Sequence, residues 1–165
     1  MMDFKTADLL DQHEGQVREG RVRVVAPLFQ RYGRRTAFAG QIVTLKLFED
    51  NSWVRTLLGG NGQGKVLVID GGGSLRCALV GDQLAVLAQE NAWEGIVVYG
   101  CIRDSNDIDT LDLGVRALNT HPLKSVKKGV GERDLSVSFG GVTFKPDEWV
   151  YVDADGIVVS ESPLT

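Results

Sequence analysis

The stretch 66–104, VLVIDGGGSLRCALVGDQLAVLAQENAWEGIVVYGCIRD, decides the fold of this chain. It opens on a continuous apolar run, 66–69, that ends in Asp70 and three glycines. A run without alternation suits a strand buried on both faces. Residues 82–92 then carry Leu84, Leu87 and Ala88 at helical spacing, with Asp82 in the first turn. Residues 95–100, GIVVYG, form a second buried run. Strand, helix and strand over this length predict a βαβ unit, whose two strands are parallel and adjacent or nearly so.

Outward from this unit, residues 37–48 alternate and are rich in β-branched residues, which predicts another strand. Asp50 or Asn51 is placed to cap a helix that stops at Gly59-Gly60, with a loop over 61–65. Residues 6–14 read as a short helix with Thr6 as its N-cap. Residues 104–111 are polar with local helical or turn character, and 114–120 read as a strand. In the last third, Ser136 to Phe139 and Val142 to Phe144 flank Gly140-Gly141, a hairpin signal. WVYV (149–152) and IVV (157–159) flank the turn sequence DADG. The expectation is one α/β domain spanning 1–165, βα-rich first and hairpin-rich at its end.

The composition bounds the function. Of 165 residues, 43% are hydrophobic and 24% charged, which suits a packed soluble domain. The net charge of −4 and the absence of a basic stripe disfavour a nucleic-acid ligand. No apolar run approaches the roughly 20 residues of a membrane span. The start, MMDFKTADLL, lacks the basic and apolar regions of a leader, so the expected compartment is the cytoplasm. Cys77 and Cys101 have no metal-type spacing and read as reduced, buried thiols.

In open α/β sheets, ligands bind beyond the carboxyl ends of parallel strands. Here those ends lead to Gly81, Asp82, Gln83 and Leu84 at the helix start, and to Arg103-Asp104 after the second strand. Strands lie about 4.8 Å apart, so the two segments can share a pocket. Free N–H groups at a helix start favour an anion. Arg103 offers a planar fork for a carboxylate or oxyanion. Asp104 is a hard oxygen ligand suited to Mg²⁺ or Mn²⁺, and Asp82 and Asp107 can hold water on such a metal. Plainer readings stand beside these. Asp82 is equally an N-cap, Arg103-Asp104 equally a surface ion pair, and Gly71 to Gly73 a tight turn without the Lys and Ser/Thr of a phosphate loop. His13 and His121 are isolated. Asp153, Asp155 and Gly156 lack the twelve-residue calcium pattern and read as a hairpin turn.

The stretches FAGQIVTLKLFEDN (38–51), 64–104 and GERDLSVSFGGVTF (131–144) resemble the RraA-like family, and the likeness runs from about Ala7 to Pro163. The family includes regulators of ribonuclease E and class II 4-hydroxy-4-methyl-2-oxoglutarate aldolases. Its lyases carry Asp, twenty residues, Arg-Asp, two residues and an acidic residue. Asp82, Arg103-Asp104 and Asp107 stand at that spacing. By resemblance, Gly81 to Leu84 and Arg103 bind substrate, Arg103 and Asp82 are catalytic, Asp104 holds the divalent metal, and Asp107 supports its water. Some family members known as ribonuclease regulators have another residue at the position of Asp104. The resemblance implies cleavage of the 2-oxo acid to pyruvate, oxaloacetate decarboxylation as a second activity, and a homotrimer or dimer of trimers. It also implies an alternative, a non-catalytic protein that binds and inhibits ribonuclease E. Nothing in the sequence marks a methyl-donor site, although methyltransferase is an older designation in this family.

Overall fold

The computed structural model describes residues 3–165; Met1 and Met2, where the stretch read as lacking a leader begins, lie outside the described residues. In chain order the elements begin with α1 (Thr6–Gln12), α2 (Glu14–Arg18), β1 (Val22–Val24), β2 (Gln30–Tyr32), β3 (Phe38–Lys46) and α3 (Ser52–Leu58). The middle holds β4 (Lys65–Asp70), β5 (Ala78–Val80), α4 (Asp82–Glu90), β6 (Gly95–Ile102), α5 (Ser105–Ile108) and β7 (Gly114–Thr120). The chain ends with β8 (Glu132–Arg133), β9 (Val137–Phe139), β10 (Val142–Phe144), β11 (Trp149–Val152) and β12 (Ile157–Ser160).

The predicted βαβ unit is present. β3, β4, β6 and β7 lie side by side and parallel, with Val66 opposite Gly95 and Asp70 opposite Tyr99. Antiparallel strands flank this centre: β11, β12 and β1 beyond β3, and β2 beyond β7. β9 and β10 form a separate hairpin, as their two-glycine link predicts.

Alternation along the strands builds a layer on each face. Leu67, Ile69, Ile96 and Val98 meet Val54 and Leu58 of α3 and Leu84, Ala85 and Ala88 of α4. Val66, Val68 and Val97, on the other face, meet Val137, Phe139 and Phe144 of the hairpin. Each such fully buried side chain contributes roughly 1.5–3 kcal/mol, so β4, covered on both faces, is a firmly anchored strand. The result is helices, sheet and hairpin stacked as three layers. No helix among the described residues is long and apolar enough to cross a membrane.

Three expectations need correction. Thr6 is not the N-cap of α1: Lys5 holds that position, and Thr6 is the first helical residue. The missing cap comes from the far end of the chain, because the Asp153 carboxylate accepts both the Thr6 N–H and its hydroxyl, each at 2.7 Å. The helix there ends at Gln12 and a second begins at Glu14, so the 6–14 reading joins two elements. α4 stops at Glu90 rather than 92, where Asn91 turns its side-chain amide onto the Leu87 and Leu58 carbonyls, each at 3.0 Å.

Asp50 does more than cap. Its side chain is buried and accepts the Ser52 N–H (2.9 Å) and hydroxyl (2.6 Å), and then the N–H groups of Lys128 (2.8 Å) and Val130 (3.2 Å). Burial alone would raise its pKa, but these donors outweigh it and hold the carboxyl at about 2 against an ordinary 3.8. A depressed carboxyl stabilises the fold above its unfolded pKa, and that stability is lost as pH falls through the folded value. Asp50→Ala strands three backbone donors and is expected to cost about 3 kcal/mol in urea unfolding. Asp50→Asn should cost less and should flatten the loss of stability between about pH 4 and about pH 2 that the parent shows in the same experiment.

Candidate active site

The site forms where β5 and β6 end together. β5 takes up the place beside β6 where β4 stops, pairing Ala78 with Cys101 and Val80 with Ile102. The Arg103 N–H then donates to the Val80 carbonyl at 2.9 Å. This bond sets Arg103-Asp104 directly against Gly81-Asp82, the start of α4. The two segments that the sequence places at one sheet edge are therefore in contact.

Asp104 occupies the left-handed region, φ 57° and ψ 39°. Its Oδ2 accepts the Asp82 N–H at 3.1 Å and lies 4.0 Å from the Arg103 Nε. The anion at the positive end of α4 is thus the protein's own Asp104. Asp82 turns its Oδ1 onto the Gln83 N–H at 2.8 Å, so a second first-turn donor is also in use. The expectation of open N–H groups at this helix start narrows accordingly.

A cavity of about 400 Å³ opens here. Gly81, Asp82, Gln83, Leu84, Arg103 and Asp104 all line it. Asp107 does not: it is exposed on α5, one turn beyond. The opposite wall comes from residues that sequence reasoning missed, namely Asn51, Ser52 and Arg55 of the α3 start, and Lys124 and Lys127. Asn51 is buried and braced, its amide donating to the Leu79 carbonyl at 3.0 Å while its oxygen accepts from Lys127 Nζ at 3.1 Å. The one sequence signal for these residues is the basic run around 124–128, KSVKK, in an acidic chain.

The lining holds four cations (Arg55, Arg103, Lys124, Lys127) and two carboxylates (Asp82, Asp104). Its balance is opposite in sign to the whole protein, which carries −4. Such a cavity selects anions. A larger open hollow of about 700 Å³ between β1 and the β9–β10 hairpin has no comparable grouping of charge. Cys77 and Cys101 are free and buried, and burial raises both thiols, so neither suits a nucleophile.

The donor set fits a weakly held divalent cation. Asp104 offers a partly exposed carboxylate, and among the described residues Oδ1 accepts no hydrogen bond, which leaves it available to a ligand. No cluster of three or more His, Cys, Asp or Glu side chains suited to a metal occurs among the described residues. Mg²⁺ commonly takes one or two protein carboxylates and keeps several waters, so one aspartate with Asp82 nearby is a sufficient set.

Comparison with known proteins gives a consistent family. Residues 6–159 match the RraA-like family, described as aldolase/RraA. A Dechloromonas aromatica (strain RCB) protein provisionally named 4-hydroxy-4-methyl-2-oxoglutarate aldolase is 66% identical over 99% of this chain and 100% of its own length. A relative from Aromatoleum aromaticum with the same provisional name is 63% identical over 99% of each chain. Among solved structures, a Geobacillus kaustophilus protein described as an S-adenosylmethionine:2-dimethylmenaquinone methyltransferase superposes with a TM-score of 0.92 at 46% identity, covering 98% of this chain and 97% of its own. The RNA-processing inhibitor RraA from Thermus thermophilus superposes at 0.91 with 39% identity, covering 98% of this chain and 95% of its own.

Gly81 is what allows the close approach of the two segments. A Cβ built there would lie 2.9 Å from the Asp104 Oδ2, closer than such contacts occur, and 3.5 Å from the Arg103 Cγ. The carboxylate is the movable partner, so Gly81→Ala should push Asp104 off the Asp82 N–H rather than unfold the chain. The expected result is a large shift of the Asp82 amide resonance in an NMR spectrum with a melting temperature within a few degrees of the parent, roughly 1 kcal/mol or less. An unmoved Asp82 amide would show that the contact does not constrain this position.

Proposed function

The chain belongs to the RraA-like family, and we propose that its cavity is the active site of a class II aldolase that cleaves 4-hydroxy-4-methyl-2-oxoglutarate to pyruvate, with oxaloacetate decarboxylation as a second activity. The observation that carries this reading is the pairing of Arg103 and Asp104 at the start of α4, across one cavity from Arg55, Lys124 and Lys127. A substrate with a carboxylate at each end and a carbonyl beside one of them matches that division of charge.

In this reading Asp104 holds a Mg²⁺ or Mn²⁺ ion, which when bound supplies Lewis-acid stabilisation at the 2-oxo group. Arg103 presents its guanidinium to the C2 oxygen, where negative charge gathers as the C3–C4 bond breaks. The far carboxylate rests against Arg55 and Lys127, the latter oriented by Asn51. The C4 hydroxyl loses its proton through water placed by Asp82, and C4 becomes the carbonyl of one pyruvate. The electron pair of the broken bond goes to C3, and protonation there gives the second. Oxaloacetate would lose CO₂ from the same binding mode and leave the same enolate. Asp107, outside the cavity, acts at most through solvent.

The likeness to an RNA-processing inhibitor supports a second reading, a regulator that docks on ribonuclease E, and the shared fold does not separate the two. The carboxylate at position 104 favours chemistry. The methyltransferase description of one structural relative finds little support in a cavity lined by cations and carboxylates, with no aromatic side chain to take an adenine ring.

Kinetics on purified variants tests the reading. Asp104→Ala should lose nearly all pyruvate release. Arg103→Lys keeps the charge but loses the planar fork, and should lose on the order of a hundredfold in kcat. Exhaustive chelation with EDTA should abolish turnover, and Mg²⁺ or Mn²⁺ should restore it. Folded variants that cleave at the parent rate would make the motif structural and put the regulator first.

We also propose that the chain assembles as a trimer or a dimer of trimers. Phe48, Leu123, Val126 and Val130 are each more than half exposed and line a groove that shares Lys124 with the cavity, which supports a neighbouring copy closing the site. Light scattering at micromolar concentration should give a multiple of 18.0 kDa, and a mass of one chain would refute the assembly.

A further inference from the structure

A second cavity, of about 420 Å³, lies at the other end of the parallel strands. Two arginines face it. Arg31 of β2 and Arg116 of β7 stand directly opposite each other in the antiparallel register, so both side chains leave the same face of the sheet. Like charges placed this way repel, and one of the pair is out of water: Arg116 is only 3% exposed. Its guanidinium donates to three backbone carbonyls, those of Thr36 (2.8 Å), Val115 (3.1 Å) and Asp153 (3.4 Å), and lies 5.4 Å from the centre of the Phe38 ring. The carbonyls take three of its five N–H donors and neutralise none of its charge. Among the described residues, no Asp or Glu side chain comes within 4.0 Å of either arginine.

The nearby carboxylate is committed elsewhere. Asp153 accepts the Thr6 N–H and hydroxyl and the N–H groups of Asp155 and Gly156. Asp153 lines the cavity, and so does Asp155, which is exposed. Burial, and then the opposing Arg31, pull the Arg116 guanidinium down to about 10. The remaining walls are apolar: Val24, Val25, Pro27, Phe29 and Ile157. The Asp153 carboxylate favours the charged form of Arg116 through space but makes no ion pair with it, so the buried charge is only partly compensated; beside a second cation and an open, largely apolar hollow, it favours a further counter-ion.

We propose that this cavity is a binding site for a small organic carboxylate, its oxygens gripped by Arg31 and Arg116 and its apolar body lying against Val25, Pro27 and Phe29. A guanidinium pair matches the planar, bidentate geometry of a carboxylate, and the walls favour a ligand with hydrocarbon or a ring behind that group. The site is separate from the Arg103–Asp104 cavity and does not depend on the activity assigned there.

The test titrates benzoate, acetate and inorganic phosphate into the full chain and follows the arginine Nε–Hε resonances by NMR. Benzoate should shift the Arg31 and Arg116 signals saturably, with a midpoint at or below about 1 mM. Acetate, without the apolar body, should bind at least about tenfold more weakly. Arg31→Met should lose the benzoate response while melting no lower than the parent, because it removes one of two like charges, and Asp104→Ala should keep the response. An absence of saturable shifts with benzoate overturns the proposal. So does binding of acetate or phosphate as tight as that of benzoate, an undiminished response in Arg31→Met, or loss of the response in Asp104→Ala.

Discussion

The hydrogen bond from the Arg103 N–H to the Val80 carbonyl, 2.9 Å long, is the tie on which the candidate active site depends. It closes the ladder between β5 and β6 where each strand delivers its functional segment. On one side Gly81 opens α4; on the other Arg103 and Asp104 leave the sheet. Because both strands are buried, the tie is shielded from water and the segments it joins have little freedom. A ladder slipped by one residue would turn these side chains to the other face of the sheet. The geometry of the cavity is therefore inherited from strand register, which apolar packing on both faces of β4 and β6 maintains.

The parts of this arrangement readable in the sequence are those set by local rules. Unbroken apolar runs announced β4 and β6, and their spacing around a helical segment gave their parallel pairing. Two glycines between short apolar runs marked the β9–β10 hairpin. β5 was not legible, because 78–80 is three residues long and counts as a strand only by pairing with the overhanging end of β6. The cap of α1 was misread for a related reason: Thr6 has the chemistry of an N-cap, but the acceptor that fills the role belongs to Asp153, 147 residues away. Local propensity names candidates, and tertiary contacts choose among them.

The same division runs through the site. Asp82, Arg103 and Asp104 follow strand or helix boundaries, so topology alone placed them together. Arg55, Lys124 and Lys127 reach the cavity from α3 and from the segment after β7, and no periodicity in those segments points inward. Backbone bridges tie Lys124 to Ala78 and Val126 to Asp50, and the buried Asp50 carboxylate binds the start of α3 and the Lys128 and Val130 N–H groups at once. A residue read only as a helix cap is thus one of the pins that hold two cationic walls of the cavity in place. Asp107 shows the converse, a motif position that spacing singled out and that the fold leaves outside the cavity.

Asp104 combines two costs that make sense together. Its left-handed backbone is unfavourable for a residue with a Cβ, on the order of 1 kcal/mol or more. Its carboxylate spends one oxygen on the Asp82 N–H, at the positive end of a nine-residue helix. An ordinary strand exit would avoid the first cost, and a serine or asparagine at the cap would satisfy the donor without placing a full negative charge beside Arg103. The helix start holds one oxygen through the Asp82 N–H, which leaves the other without a hydrogen-bond partner among the described residues, on a side chain that lines the cavity. The carboxylate is held in place but not neutralised. A stronger partner, such as a bidentate arginine, would hold it more firmly and remove its value as a ligand. At 4.0 Å from Oδ2, the Arg103 Nε stops short of that pairing. That separation leaves both groups able to act on a third, which a closed ion pair could not do.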